Sequence, residues 1–137
     1  MPLFLNKEVK MTGNELLNTA LDLLGLRNES GTLPKDVDDL KQRALSLINI
    51  LLAENSSLDA RIKRCEHTVK SINTLDDNID MSDIVVNDVL PYELACLFML
   101  GEDDSLAKDM NTLYSRAKDN ALKFGKAKVE PITEVYS

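Results

Sequence analysis

Residues 12–25 read Thr-Gly-Asn-Glu-Leu-Leu-Asn-Thr-Ala-Leu-Asp-Leu-Leu-Gly, and their pattern decides the class of fold. Thr12 and Glu15 have the spacing of a capping box, in which each side chain accepts the other residue's backbone N–H. Leu16, Leu17, Ala20, Leu21, Leu23 and Leu24 then form a broad apolar stripe at helical spacing. Gly25 can adopt the left-handed conformation that closes a helix without Cβ strain. A start, a stripe and a stop in one window predict an amphipathic helix that must bury one face against neighbours.

The same logic extends along the chain. Arg27 to Pro34 reads as a loop. A second helix is predicted to begin near Pro34 or Asp36, with Asp36, Asp38 and Asp39 in its first turns, where carboxylates suit exposed N–H groups. Leu40, Ala44, Leu45, Leu47, Ile48, Leu51 and Leu52 give it an apolar face wide enough for two partners, and Asn55-Ser56-Ser57 ends it. Leu58, Ile62, Cys65 and Val69, at intervals of four, three and four, suggest a weaker helix over Leu58–Ile72. A flexible excursion fits that stretch nearly as well. Thr74 to Ser82 reads as a turn-rich acidic linker.

A strongly apolar helix follows, from Ile84 to Leu100, with Pro91 inside it. Proline lacks the N–H and crowds the carbonyl four residues back. The helix must therefore kink near Asn87 or begin at Asp88, with Pro91 in its first turn. Gly101 ends it. Leu106, Met110, Leu113, Tyr114, Ala117 and Ala121 mark a last helix starting near Asp103 or Asp104, with Gly125 expected to stop it. The fold class is all-α: a small bundle of four to five helices with projecting N- and C-terminal segments. Its parts are an arm (1–11), a helical domain (12–124) and a C-terminal tail (125–137). Met11 is a second candidate for the natural start.

At 137 residues the chain has the size of one domain, large enough to bury about two-thirds of its surface without metal or disulfide. Apolar residues make up 44%, which sets it apart from disordered chains; aromatics are only 4%, so aliphatic side chains and Met must fill the core. No apolar run approaches the ~18 residues that cross a bilayer, so no membrane partner is expected, and Met1–Lys10 does not resemble a secretory signal. Cys65 and Cys96 do not make a disulfide scaffold and fit a reducing compartment. A net charge of −7 argues against sequence-blind binding of the DNA backbone by one subunit.

No catalytic set stands out. His67 is the only histidine, and with Cys65 it supplies too few ligands for a zinc site. Asp76, Asp77, Asp80 and Asp83 lack the spacing, the glycine and the terminal Glu of a calcium loop. Glu102-Asp103-Asp104 fits a helix start. No catalytic residue, metal or cofactor is therefore expected, and the chain does not read as an enzyme. Charge is nonetheless polarised: Ser71–Ala107 carries no Lys or Arg, whereas Lys108, Arg116, Lys118, Lys123, Lys126 and Lys128 follow. The last helix can compensate the acidic one within the chain. Alternatively, acidic and basic edges can meet between copies in a ring, with Asp76, Asp77, Asp80 and Asp83 at a subunit contact or facing a DNA channel.

Four blocks resemble the head–tail adaptor proteins of tailed bacteriophages, especially the tail accessory factor of short-tailed phages in a compact prophage version. Residues 11–25 resemble that family's opening helix, with its "ALxLLG" pattern. Residues 44–53, Ala-Leu-Ser-Leu-Ile-Asn-Ile-Leu-Leu-Ala, resemble the second, commonly "ALxxLNxLLA". Residues 75–81, Leu-Asp-Asp-Asn-Ile-Asp-Met, resemble the acidic "LDDEI" approach to the third block, and Leu90-Pro91-Tyr92-Glu93-Leu94-Ala95 resembles "LPYGLA". Glu102-Asp103-Asp104 and Tyr114 continue the pattern. Glu93 stands where Gly is frequent and Asn78 where an acid is usual, and residues 55–74 have no counterpart.

The resemblance implies a helical subunit that attaches below the portal ring after genome packaging. It would be a monomer in isolation and a ring of about twelve copies on the portal. Such a ring extends the DNA conduit, without sequence-specific binding, and receives the next tail or stopper protein. It implies a place at the head–tail junction of the virion, and in the host cytoplasm during assembly. Two contact regions follow from position: Val129, Ile132, Val135 and Tyr136 in the tail, and Leu3, Phe4 and Leu5 in the arm. The rival reading is a regulatory helical protein-binding module using the same apolar tail.

Overall fold

The computed structural model describes residues 10–25, 37–64 and 69–129, with side chains for 10–25, 41–64 and 69–124. These residues form five helices: α1 (Gly13–Leu23), α2 (Val37–Glu54), α3 (Ser56–Lys63), α4 (Leu90–Met99, entered through a π-helical turn over Val85–Val89) and α5 (Asp104–Val129). The fold is all-α. Helix α4 is central, packed against α1, α2 and α5, while α3 lies on α5. Among the described residues no helix is long and apolar enough to cross a membrane.

The ends of α1 follow from its sequence. The Glu15 amide donates to Thr12 Oγ1 at 3.2 Å and the Thr12 amide donates to Glu15 Oε1 at 3.0 Å, completing the capping box. Gly25 has φ +70°, the left-handed geometry that closes the helix. Leu16, Leu17, Ala20 and Leu21 are buried on one face. They meet Leu90, Leu94, Ala95 and Phe98 of α4 and Ala44, Ile48, Leu51 and Leu52 of α2 in a single core.

Two boundaries differ from the sequence reading. The weak helix expected over Leu58–Ile72 ends at Lys63, where Arg64 turns left-handed with φ +62°. Beyond it, Val69–Ser82 is a non-helical segment. Its polar groups are satisfied across the fold. Asn49 of α2 grips Ile72 like a paired strand, accepting its N–H at 2.8 Å and donating to its C=O at 3.0 Å. The buried Asp59 of α3 accepts the Ser82 N–H at 2.7 Å. Helical periodicity loses here because these bonds come from distant residues. Gly125 likewise does not stop α5, which continues to Val129. One glycine costs a helix interior only about 1 kcal/mol, which the helix around it outweighs.

The same segment closes over the start of α1. Thr12 and Asn78 form an antiparallel bridge, and the Ile79 N–H donates to the Met11 carbonyl at 2.9 Å. The Gly13 and Asn14 amides donate to the carbonyls of Asp77 (3.3 Å) and Leu75 (2.8 Å). With the Glu15 amide on Thr12, the first three orphan donors of α1 are all paired. Space is tight: a Cβ on Gly13 would lie 3.0 Å from Ile72 Cδ1 and 3.1 Å from Leu75 Cα.

The helical path does not begin at Asp88; a π-helical turn around Asn87 takes up the proline instead. The helical path runs from Asp83 through the π-helical turn, and Pro91 falls in the first turn of α4. The Leu90 amide reaches the Val85 carbonyl five residues back. This wider turn accommodates a proline ring that would otherwise crowd the Asn87 carbonyl. Asp103 then starts α5 by accepting the Leu106 N–H at 3.0 Å.

Gly13→Ala should lower unfolding stability by about 1–3 kcal/mol, because the added methyl meets the Leu75 backbone. Denaturant titration should show a lower midpoint with an unchanged slope; wild-type stability would contradict the packing described.

Candidate contact face

The four acidic residues flagged from the sequence have definite places. Asp76 Oδ1 accepts from Asn14 Nδ2 at 2.8 Å, and Asp80 pairs with Lys10 at 2.9 Å. Asp77 accepts the N–H groups of Asn73 (2.8 Å) and Thr74 (3.1 Å), and these bonds hold its carboxyl below the usual carboxylate range. All three acids therefore take part in fastening the 69–82 segment. Asp83 is exposed where that segment enters the π-helical turn. Val129 is the last residue of α5. The side chain of Val129, and all of Leu3, Phe4, Leu5, Ile132, Val135 and Tyr136, lie outside the described residues, as do Cys65 and His67.

Three clefts meet around residues 83–87. The first, about 410 Å³, lies between α1, the π-helical turn and α5, with Leu23, Ile84, Tyr92 and Ala117 in its walls. The second, about 150 Å³, runs from Lys10 and Met11 past Met81 to Asn87. The third, about 460 Å³, is edged by Ile62, Lys63, Arg64, Ile84 and Phe124. Asn87 is shared by the first two, Asp83 by the second and third, and Ile84 by the first and third. Phe124 is 49% exposed beside the third, five residues before the end of α5. Lys10 lines the second cleft and Phe124 of α5 lines the third. Apolar ends were legible in the sequence; the clefts required the fold.

Sequence reasoning missed the role of Glu93. It is buried on α4 and accepts from Asn55 Nδ2 at 2.8 Å; the same nitrogen donates to the Leu51 carbonyl at 2.9 Å. Burial, reinforced by a hydrogen bond with Glu54 and that group's charge, pushes the Glu93 carboxyl up to about 7, against the opposing pull of Asn55 and Lys118. Burial and the charges of Glu93 and Glu54 push Tyr114 up to about 12. The Glu93 carboxyl thus links α4 to Asn55 and to Glu54 of α2. The charge compensation expected between α5 and α4 reaches Glu93 only as the smallest influence on its carboxyl, the charge of Lys118. The only signal in the sequence was an acid inside an otherwise apolar helix. Glu93 lines none of the three clefts, so the geometry makes it a joint between helices.

Among the described residues no group of three or more His, Cys, Asp or Glu side chains could hold a metal ion. No protein-family model, curated protein or solved structure matches the chain.

The raised Glu93 carboxyl sets a pH dependence. Between its ordinary value of 4.5 and about 7, the unfolded chain ionises this group while the folded chain keeps it protonated. Stability from this site is full below pH 4.5 and falls as pH rises through 7. Glu93→Gln should flatten that fall and stabilise the protein at pH 8 by on the order of 1–2 kcal/mol. Melting curves from pH 5 to 8 check this; parallel profiles for the two proteins would contradict it.

Proposed function

We propose that the chain is a structural subunit of a tailed-phage head–tail connector: an adaptor that attaches below the portal ring, extends the DNA conduit and receives the next tail component. The observation that carries this reading is the ordered set of four sequence blocks resembling the adaptor family. Their arrangement supports it. Residues 11–25, 44–53 and 90–95 supply most of the apolar side chains where α1, α2 and α4 meet. Residues 75–81 close over the start of the first block through the Thr12–Asn78 bridge. Asn49, within the second block, grips Ile72 just ahead of the third. The blocks therefore form one cooperative unit.

An adaptor also needs surfaces that order on neighbours, and the apolar residues in the two terminal segments meet that need. In this role Val129, Ile132, Val135 and Tyr136 engage the portal, and Leu3, Phe4 and Leu5 serve subunit contacts. The subunit works at the head–tail junction of the virion, after assembly in the host cytoplasm.

The test is mass. Mixed with the portal ring encoded by the same phage or prophage, the protein should add about twelve copies in native mass spectrometry. Removing residues 130–137 should abolish attachment and leave helical circular dichroism intact. A well-formed portal that gains no mass would contradict the adaptor role and favour the binding-module reading; undiminished attachment by the truncated chain would move the portal contact elsewhere.

A further inference from the structure

Among the described residues the exposed large apolar side chains are Ile50, Leu100 and Phe124, and Leu100, at 58%, is the most exposed of them. Leu100 closes α4 in extended geometry (φ −60°, ψ 122°), which turns the chain out of the helix. Leu100 through Ser105 are all exposed. Apart from its chain neighbours, nothing lies within 4 Å of where a Cβ on Gly101 would sit. The turn between α4 and α5 therefore stands clear of the body, with Glu102, Asp103 and Asp104 beside Leu100. Asp103 and Asp104 accept the Leu106 and Gly101 amides at 3.0 and 2.9 Å, and Glu102 is exposed next to them.

The third cleft is the complement of this turn. Ile62, Ile84 and Phe124 give it apolar walls, and Lys63 and Arg64 outnumber Asp83 at its edge. The described linings of the first and second clefts instead carry more acid than base. Lys63 pairs with the buried Asp59 at 3.3 Å, while Arg64 is exposed at the end of α3. Asp104 and Phe124 lie about 30 Å apart along α5. One helix thus holds the turn and the cleft at opposite ends, so a chain cannot seat its own turn in its own cleft, whereas a second copy can. Seating Leu100 there covers Phe124 as well, removing two exposed apolar side chains from water.

We propose that the third cleft takes the α4–α5 turn of a second copy of this chain, with Leu100 of one copy among Ile62, Ile84 and Phe124 of the other and Glu102 facing Arg64. The two surfaces differ, so the contact is heterologous: each copy keeps one surface free for the next, and repetition gives a ring or an open chain. One turn covers less surface than the ~1,200 Å² at which stable pairs begin, so free copies meet only at high concentration. Asp76, Asp77 and Asp80 are already taken up in fastening the 69–82 segment, whereas the 100–105 turn is exposed throughout. This contact goes beyond the connector reading and needs no portal.

Sedimentation equilibrium of the full chain, from micromolar to millimolar concentration, tests it. The weight-average mass of the wild type should climb with concentration. Leu100→Lys blocks the turn and Arg64→Glu blocks the cleft; both positions are exposed, so helical circular dichroism should not change. Each variant alone should associate more weakly by about tenfold or more, because like charges then face each other across the contact. An equimolar mixture of the two keeps one intact turn and one intact cleft, so it should recover pairing and stop at two chains. A wild type that stays a monomer at every concentration would overturn the proposal. So would variants that associate like the wild type, or a mixture that behaves like its separate components.

Discussion

The structure turns on how the first amides of α1 are satisfied. A helix start leaves N–H groups without intrahelical partners, and burying them unpaired costs on the order of 1–3 kcal/mol each. Here the carbonyls of Asp77 and Leu75 take the Gly13 and Asn14 amides, and Thr12 takes that of Glu15. This forces the 69–82 segment to lie across the end of α1, with Ile72 and Leu75 tight against Gly13. Asn49 and Asp59 hold the same segment from α2 and α3. The segment enters the π-helical turn through Ser82, whose carbonyl accepts from Val85 and Val86. One non-helical stretch thus sets four helices relative to one another.

What was legible in the sequence was what local chemistry decides. The capping box at Thr12 and Glu15, the left-handed stop at Gly25 and the start of α5 at Asp103 each depend on residues within a few positions, and each lies where the sequence puts it. The extent of α3 was not legible, because Asn49–Ile72 and Asp59–Ser82 each span 23 residues and leave no periodic trace. Gly125 misled for the opposite reason: a local stop signal was outweighed by a long helix around it.

The acidic stretch shows the same division. Asp76, Asp77 and Asp80 stood out as a run of charge, but their roles come from Asn14, a turn backbone and Lys10. Glu93 did not stand out chemically, yet folding raises its carboxyl, because α4 carries it into a buried place against Asn55 and Glu54. The candidate contact segments were legible as apolar ends. The clefted face was not, since it is assembled from α1, α3, the π-helical turn and α5. Caps, clamps and one buried acid hold the body, and three clefts gather around residues 83–87.

Amide hydrogen exchange, resolved by residue, tests the central claim most directly. If the 69–82 segment is the clamp that sets the helices, the amides of Asn14, Ile72, Ile79 and Ser82 should exchange only through global unfolding, with the same opening free energy as Leu94 in the core. Exchange of these amides at rates near those of an unstructured chain, while Leu94 stays protected, would show a loose linker and contradict the account.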